Sequence, residues 1–227
     1  MCFLIQADGC MSTDADLYHR VAEEFNWNPM ARNASIRVDI QGGVMTLTGW
    51  AASYAQKQAI GEIAEKMSGV KCVINQTQVS LADSSSIPDE TLAQVVRFAL
   101  DHTALLAPGS LDVSVEDGVV TLSGELTWDY QRREALRAAG AQRGVREILD
   151  RISLATPAAG FVDSEGIVNA LRRNAMFDAE WITVEAYKGC VILRGSVRSC
   201  FERAWAERIA WCAQGASEVI NQLSVAG

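Results

Sequence analysis

"EDGVVTLSGEL", residues 116–126, reads as a tight turn, a strand of alternating side chains and a glycine stop. Asp117-Gly118 supplies the positive φ angles that a two-residue hairpin requires. Just before it, "LDVSV" at 111–115 puts Leu111, Val113 and Val115 on one side and Asp112 and Ser114 on the other. That is the pattern of a half-buried strand. Two near-copies of the hairpin stand elsewhere: "QGGVMTLTGWA" at 41–51 and "YKGCVILRGSV" at 187–197.

The glycines fix the register of a threefold internal repeat. Gly43, Gly118 and Gly189 open the return strand, and Gly49, Gly124 and Gly195 close it six residues later. Gly69, Gly144 and Gly215 follow after twenty more. Copies 1 and 2 are offset by 75 residues throughout; copy 3 keeps 75 in its first helix and 71 from its first strand onward. All nine glycines are read as structural. None forms a phosphate-binding G-x-G-x-x-G or Walker pattern.

Each copy opens with an apolar stripe at helical spacing: Leu17, Val21 and Phe25; Leu92, Val96 and Leu100; Ile167 and Leu171. Ser12, Ser86 and Ser164, or their acidic neighbours, offer chemistry for the helix start. A second helix follows each hairpin, at about 51–67, 127–142 and 199–213. Its inner face is small in copies 2 and 3, where Ala135, Ala138 and Ala139 match Ala206, Ile209 and Ala210. Gly69, Gly144 and Gly215 stop that helix, and a last strand is expected from Val70, Val145 and Ala216.

The expected fold is α+β: three tandem αββαβ units, each a three-stranded sheet with two helices on one face. A helix joins the second and third strands, so these run parallel. The predicted units are 14–80, 88–154 and 162–227, after an N-terminal extension at 1–13. "ADSSSIPD" (82–89) and "ATPAAGFVD" (155–163) read as linkers.

In this arrangement "LDVSVEDGVVTLSG" with "GVREILDRISL", "IRVDIQGGVMTLTG" with "GVKCVINQTQV", and "ITVEAYKGCVILRG" with "GASEVINQLSV" resemble the BON domain. That bacterial module is named after osmotically induced and nodulation proteins. The resemblance implies a non-enzymatic binding or scaffolding role in stress response. It also implies, as the alternative, phospholipid binding that stabilises the membrane or envelope. Exported relatives would place such a protein in the periplasm or envelope.

Composition narrows the chemistry. The chain of 227 residues has 49% hydrophobic residues and a net charge of −8. That balance argues against a nucleic-acid partner, which demands a basic surface. The first residues, "MCFLIQADGCMS", lack the basic start and long apolar stretch of an export signal, so the chain reads as cytoplasmic. Six cysteines without CxxC spacing read as reduced thiols rather than a metal or disulfide framework. His19 and His102 are not equivalent in the repeat. No nucleophile, base and orienter stand together in the pattern, so neither an enzyme nor a cofactor is expected.

The repeat-matched polar positions are Lys57, Arg132 and Arg203 on the second helix and Asn75, Asp150 and Asn221 in the last strand. The first set reads as an exposed helix face and the second as a turn or strand-end hydrogen bond. For a ligand or lipid surface, the candidates are Arg194, Arg198, Arg203 and Arg208 beside Trp205 and Trp211. Trp50 and Trp128 join them, expected at the start of the second helix. Arg203 and Arg208 are expected to pair in part with Glu202 and Glu207. The partner is either phospholipid or a protein, and exposed sheet edges offer self-association.

Overall fold

The computed structural model describes residues 11–81, 87–155, 162–173 and 182–226. Ser86, the residues ahead of Met11 and most of both linkers lie outside these.

Copy 1 comprises α1 (Met11–Trp27), a short α2 (Pro29–Arg32), β1 (Ser35–Gln41), β2 (Val44–Ala51), α3 (Tyr54–Glu65), β3 (Cys72–Asn75) and β4 (Gln78–Val79). Copy 2 comprises α4 (Asp89–Asp101), β5 (Leu111–Glu116), β6 (Val119–Leu126), α5 (Asp129–Gly140) and β7 (Glu147–Leu154). Copy 3 comprises α6 (Ser164–Arg173), β8 (Ile182–Tyr187), β9 (Cys190–Val197), α7 (Cys200–Trp211) and β10 (Glu218–Val225). The second strand is central in every sheet: antiparallel to the first and parallel to the last. In copy 1 the last strand is broken into β3 and β4, and both pair with β2.

The hairpins turn as the sequence predicts. Gly42-Gly43, Asp117-Gly118 and Lys188-Gly189 all have positive φ at both residues, the geometry whose twist matches the flanking strands. A carboxylate from the first helix holds two of these turns. Asp14 accepts from the N–H groups of Gly42 and Gly43 at 2.8 and 3.2 Å, and Asp89 accepts from Asp117 and Gly118 at 2.7 and 3.0 Å. At Gly49 the partner strand comes so close that a Cβ would run into the Ser35 carbonyl oxygen.

Strand alternation sends Met45 and Leu47, Val120 and Leu122, and Val191 and Leu193 to the helix side, where all six are buried. Each copy thus has its own core, filled by the first-helix stripe and the small face of the second helix.

Two boundaries move inward from expectation. Ala51 belongs to β2, so the second helix of copy 1 starts only at Tyr54, where the Ser53 hydroxyl accepts from Gln56 N–H at 3.1 Å. Val70 and Ala216 still close the preceding turn through their N–H groups. Ladder pairing begins two residues later than expected in all three copies, at Cys72, Glu147 and Glu218.

Candidate functional site

The last strand is stitched to the second helix by the repeat-matched Asn/Asp set. Asn75 Nδ2 donates to Lys57 O and Asn221 Nδ2 to Arg203 O, each at 3.0 Å. Their Oδ1 atoms accept from Thr77 and Leu223 N–H. Asp150 accepts from Ile152 N–H in the same way but has no proton for the helix carbonyl. Arg132 instead reaches it at 2.6 Å. So the set is a strand-to-helix clamp, and in copy 2 the basic trio joins it.

A second matched set escaped the sequence reading: Gln56, Gln131 and Glu202. Their side-chain oxygens accept from Ala52, Trp128 and Arg198 N–H. Gln56 and Gln131 also donate to Met30 O and Leu105 O, at 2.7 and 3.0 Å, tying the loop after the first helix to the start of the second. Their common offsets of 75 and 71 were the available signal.

The copies touch through one repeated position, the first residue of the second helix: Tyr54, Asp129 and Cys200. Tyr54 packs against the core of copy 2, and its ring fills the space where a Cβ on Gly140 would stand, 2.8 Å away. Asp129 shares a groove of about 330 Å³ with Glu207, Arg208 and Trp211 of copy 3. The Cys200 N–H donates to Val70 O of copy 1 at 3.1 Å, and burial, then Glu65 and Cys72, push its thiol up. Each time the opposing helix residue is the last one: Gly140, Trp211 or Glu65. Large meets small in the first junction and small meets large in the second. The contacts run from copy 1 to 2, 2 to 3 and 3 to 1, so the three units close on one another.

Ionisable groups are perturbed at these junctions. Burial, and then the Glu147 and Asp150 carboxylates, push the Tyr54 phenol up against the Gln58 hydrogen bond. Burial likewise raises the carboxyls of Glu65 and Asp129. Arg133 stands 2.6 Å from the buried Asp129, and its charge partly offsets that rise.

The arginine–tryptophan group separates. Arg194 points from β9 to the helix-free face, bound to Glu185 at 2.8 Å and to Gln222 at 3.0 Å. Arg198 lies in the turn before α7. On α7, Arg208 stacks over the Trp205 ring at 5.2 Å and its charge bears on Glu65 of copy 1, while Trp211 lines the groove with copy 2. Glu202 and Glu207 are engaged elsewhere, with Arg198 N–H and Asn221 Nδ2. Arg203, Arg208, Trp205 and Trp211 thus share one helix, whereas Arg194 does not join them. Trp50 is the penultimate residue of β2, paired with Ser35 and Gln78 and 53% exposed. Trp128 caps α5 and is half-buried.

A family model for the BON domain matches the chain three times, over residues 13–80, 88–156 and 164–227. The chain belongs to the BON domain family. Its three BON domains are the three copies described above. No curated protein matches. Among solved structures, two of CdsD, described as a structural protein of the type III secretion system of Chlamydia trachomatis, align at 15% identity and a TM-score of 0.25. They cover 93% of this chain and 92% and 98% of their own, the second being a C-terminal domain. Among the described residues, no helix is long and apolar enough to cross a membrane, and no cluster of three or more His, Cys, Asp or Glu is placed to hold a metal.

Proposed function

We propose that the chain is a non-catalytic binding and scaffolding protein of stress response that presents three BON domains as one body. One observation carries this reading. The helix-free face of each sheet holds an exposed aliphatic side chain at the same repeat position: Ile74, Leu149 and Ile220, exposed by 42%, 41% and 36%. Their ladder neighbours are Thr46, Thr121 and Ile192. Three equal, weak docking points on one body raise the effective concentration of each next contact. Affinity capture from a lysate of the source cell tests this with Ile74→Glu, Leu149→Glu, Ile220→Glu and the triple variant. Capture of a given partner should fall stepwise with each added substitution. Capture untouched by the triple variant overturns the reading.

A second reading, peripheral binding to phospholipid, rests on exposed aromatic and aliphatic side chains around the loops after the first helices. Trp27 is 84% exposed and Phe98 64%, with Met30 and Leu105 at matched positions beside them. Such side chains favour the membrane–water interface. Here the protein should pellet with vesicles even at high salt, because insertion is apolar rather than ionic. Trp27→Ala with Phe98→Ala should release it. Absence of pelleting with both neutral and anionic vesicles overturns this reading.

A further inference from the structure

The three junctions differ in one chemical respect. At one repeat-matched position the outer strand begins with Glu147 in copy 2, Glu218 in copy 3 and Cys72 in copy 1. Glu147 lies close enough to act on Tyr54 and Cys72 on Cys200, whereas Asp129 stands beside Glu207 and Trp211 of copy 3. Cysteine stands on both sides of one junction and on neither side of the other two.

That junction also differs in connectivity. The chain itself joins copy 1 to copy 2 and copy 2 to copy 3, whereas copies 3 and 1 meet only through non-covalent contacts. The main chain is already aligned there: Cys200 N–H binds the carbonyl of Val70, two residues before Cys72, at 3.1 Å. Both thiols are free and half-buried. We propose that Cys72 and Cys200 are a redox modification site: a small peroxide or a low-molecular-weight disulfide oxidises them to a disulfide that closes the ring of three domains covalently.

The chemistry balances with hydrogen peroxide. One thiolate attacks the peroxide and becomes a sulfenic acid, releasing water. The second thiolate attacks that sulfur, the S–S bond forms and the oxygen leaves as a second water. Two electrons pass from the sulfurs to the peroxide, and both thiol protons end in water.

The test is a disulfide map of the full-length protein. The native chain is treated with hydrogen peroxide, its remaining thiols are blocked with N-ethylmaleimide, and it is digested with trypsin without reductant. The expected product is the peptide 72–97 joined to 199–203. It should dominate in the native sample and lose that dominance when oxidation is done in denaturant, where pairing spreads among the six cysteines. Cys72→Ser and Cys200→Ser should each abolish it, whereas Cys190→Ser and Cys212→Ser should leave it. Recovery of both residues as free thiols from the oxidised native chain, or preferential joining of either to another cysteine, overturns the proposal.

Discussion

Asp150 is the informative exception among single side chains. Asn75 and Asn221 each close a strand-to-helix clamp with one donor and one acceptor; Asp150 keeps the acceptor and borrows a donor from Arg132. Replacing Asn75 with Ala strands the Lys57 carbonyl and the Thr77 N–H, which should cost about 1–3 kcal/mol in urea unfolding. Asp150→Asn restores the bond used by the other copies and should stay within about 1 kcal/mol of wild type, since the half-exposed Arg132 regains water. A loss as large as that of Asn75→Ala would contradict the substitution logic. Asp129 yields a pH prediction. Burial raises its carboxyl in the folded chain, so the fold binds this proton more tightly than the unfolded chain does. Its favourable contribution is complete below the unfolded value of about 3.9 and declines as pH rises through the raised folded value. Wild type should lose stability relative to Asp129→Asn as pH rises from about 4 through the raised folded value. A difference that does not move with pH would contradict the raised value.

The elements were legible because their chemistry repeats locally. The glycine register and the strand alternation placed every hairpin, and both are properties of a few adjacent residues. Helix ends were less legible. The expected helix start at Ala51 fell inside β2, because Ala51 is compatible with either state and its ladder pairing to Val79 decides. The candidate arginine surface was less legible still, since Arg194 is near Arg203 in sequence but on the opposite face of the sheet. The junction residues were missed for a related reason. Tyr54, Asp129 and Cys200 share a position but no chemistry, and only the packing shows why. Gly140 tests this. In an open helix, Gly→Ala gains about 1 kcal/mol from propensity. Here the new methyl meets the Tyr54 ring, and overpacking costs about 1–3 kcal/mol. Gly140→Ala should therefore be neutral to destabilising alone, but stabilising when added to Tyr54→Ala. Equal effects in both backgrounds would show that the first junction is not packed as described.

On the scale of the whole molecule, three small sheets bury little alone and leave edges open. The cyclic contacts address the first problem, because the start of one second helix packs against the next copy. Nothing in the sequence marks this directly. Tyr54, Asp129 and Cys200 differ in size and charge, so each junction has its own fit. The exposed Ile74, Leu149 and Ile220 then become three points on one rigid body rather than points on a string. The most direct measurement is small-angle X-ray scattering of the 227-residue protein at low concentration. A closed body predicts a radius of gyration near about 17 Å, and three domains strung in a row predict roughly 25 Å. A value near the first supports the closed ring, and a value near the second contradicts it.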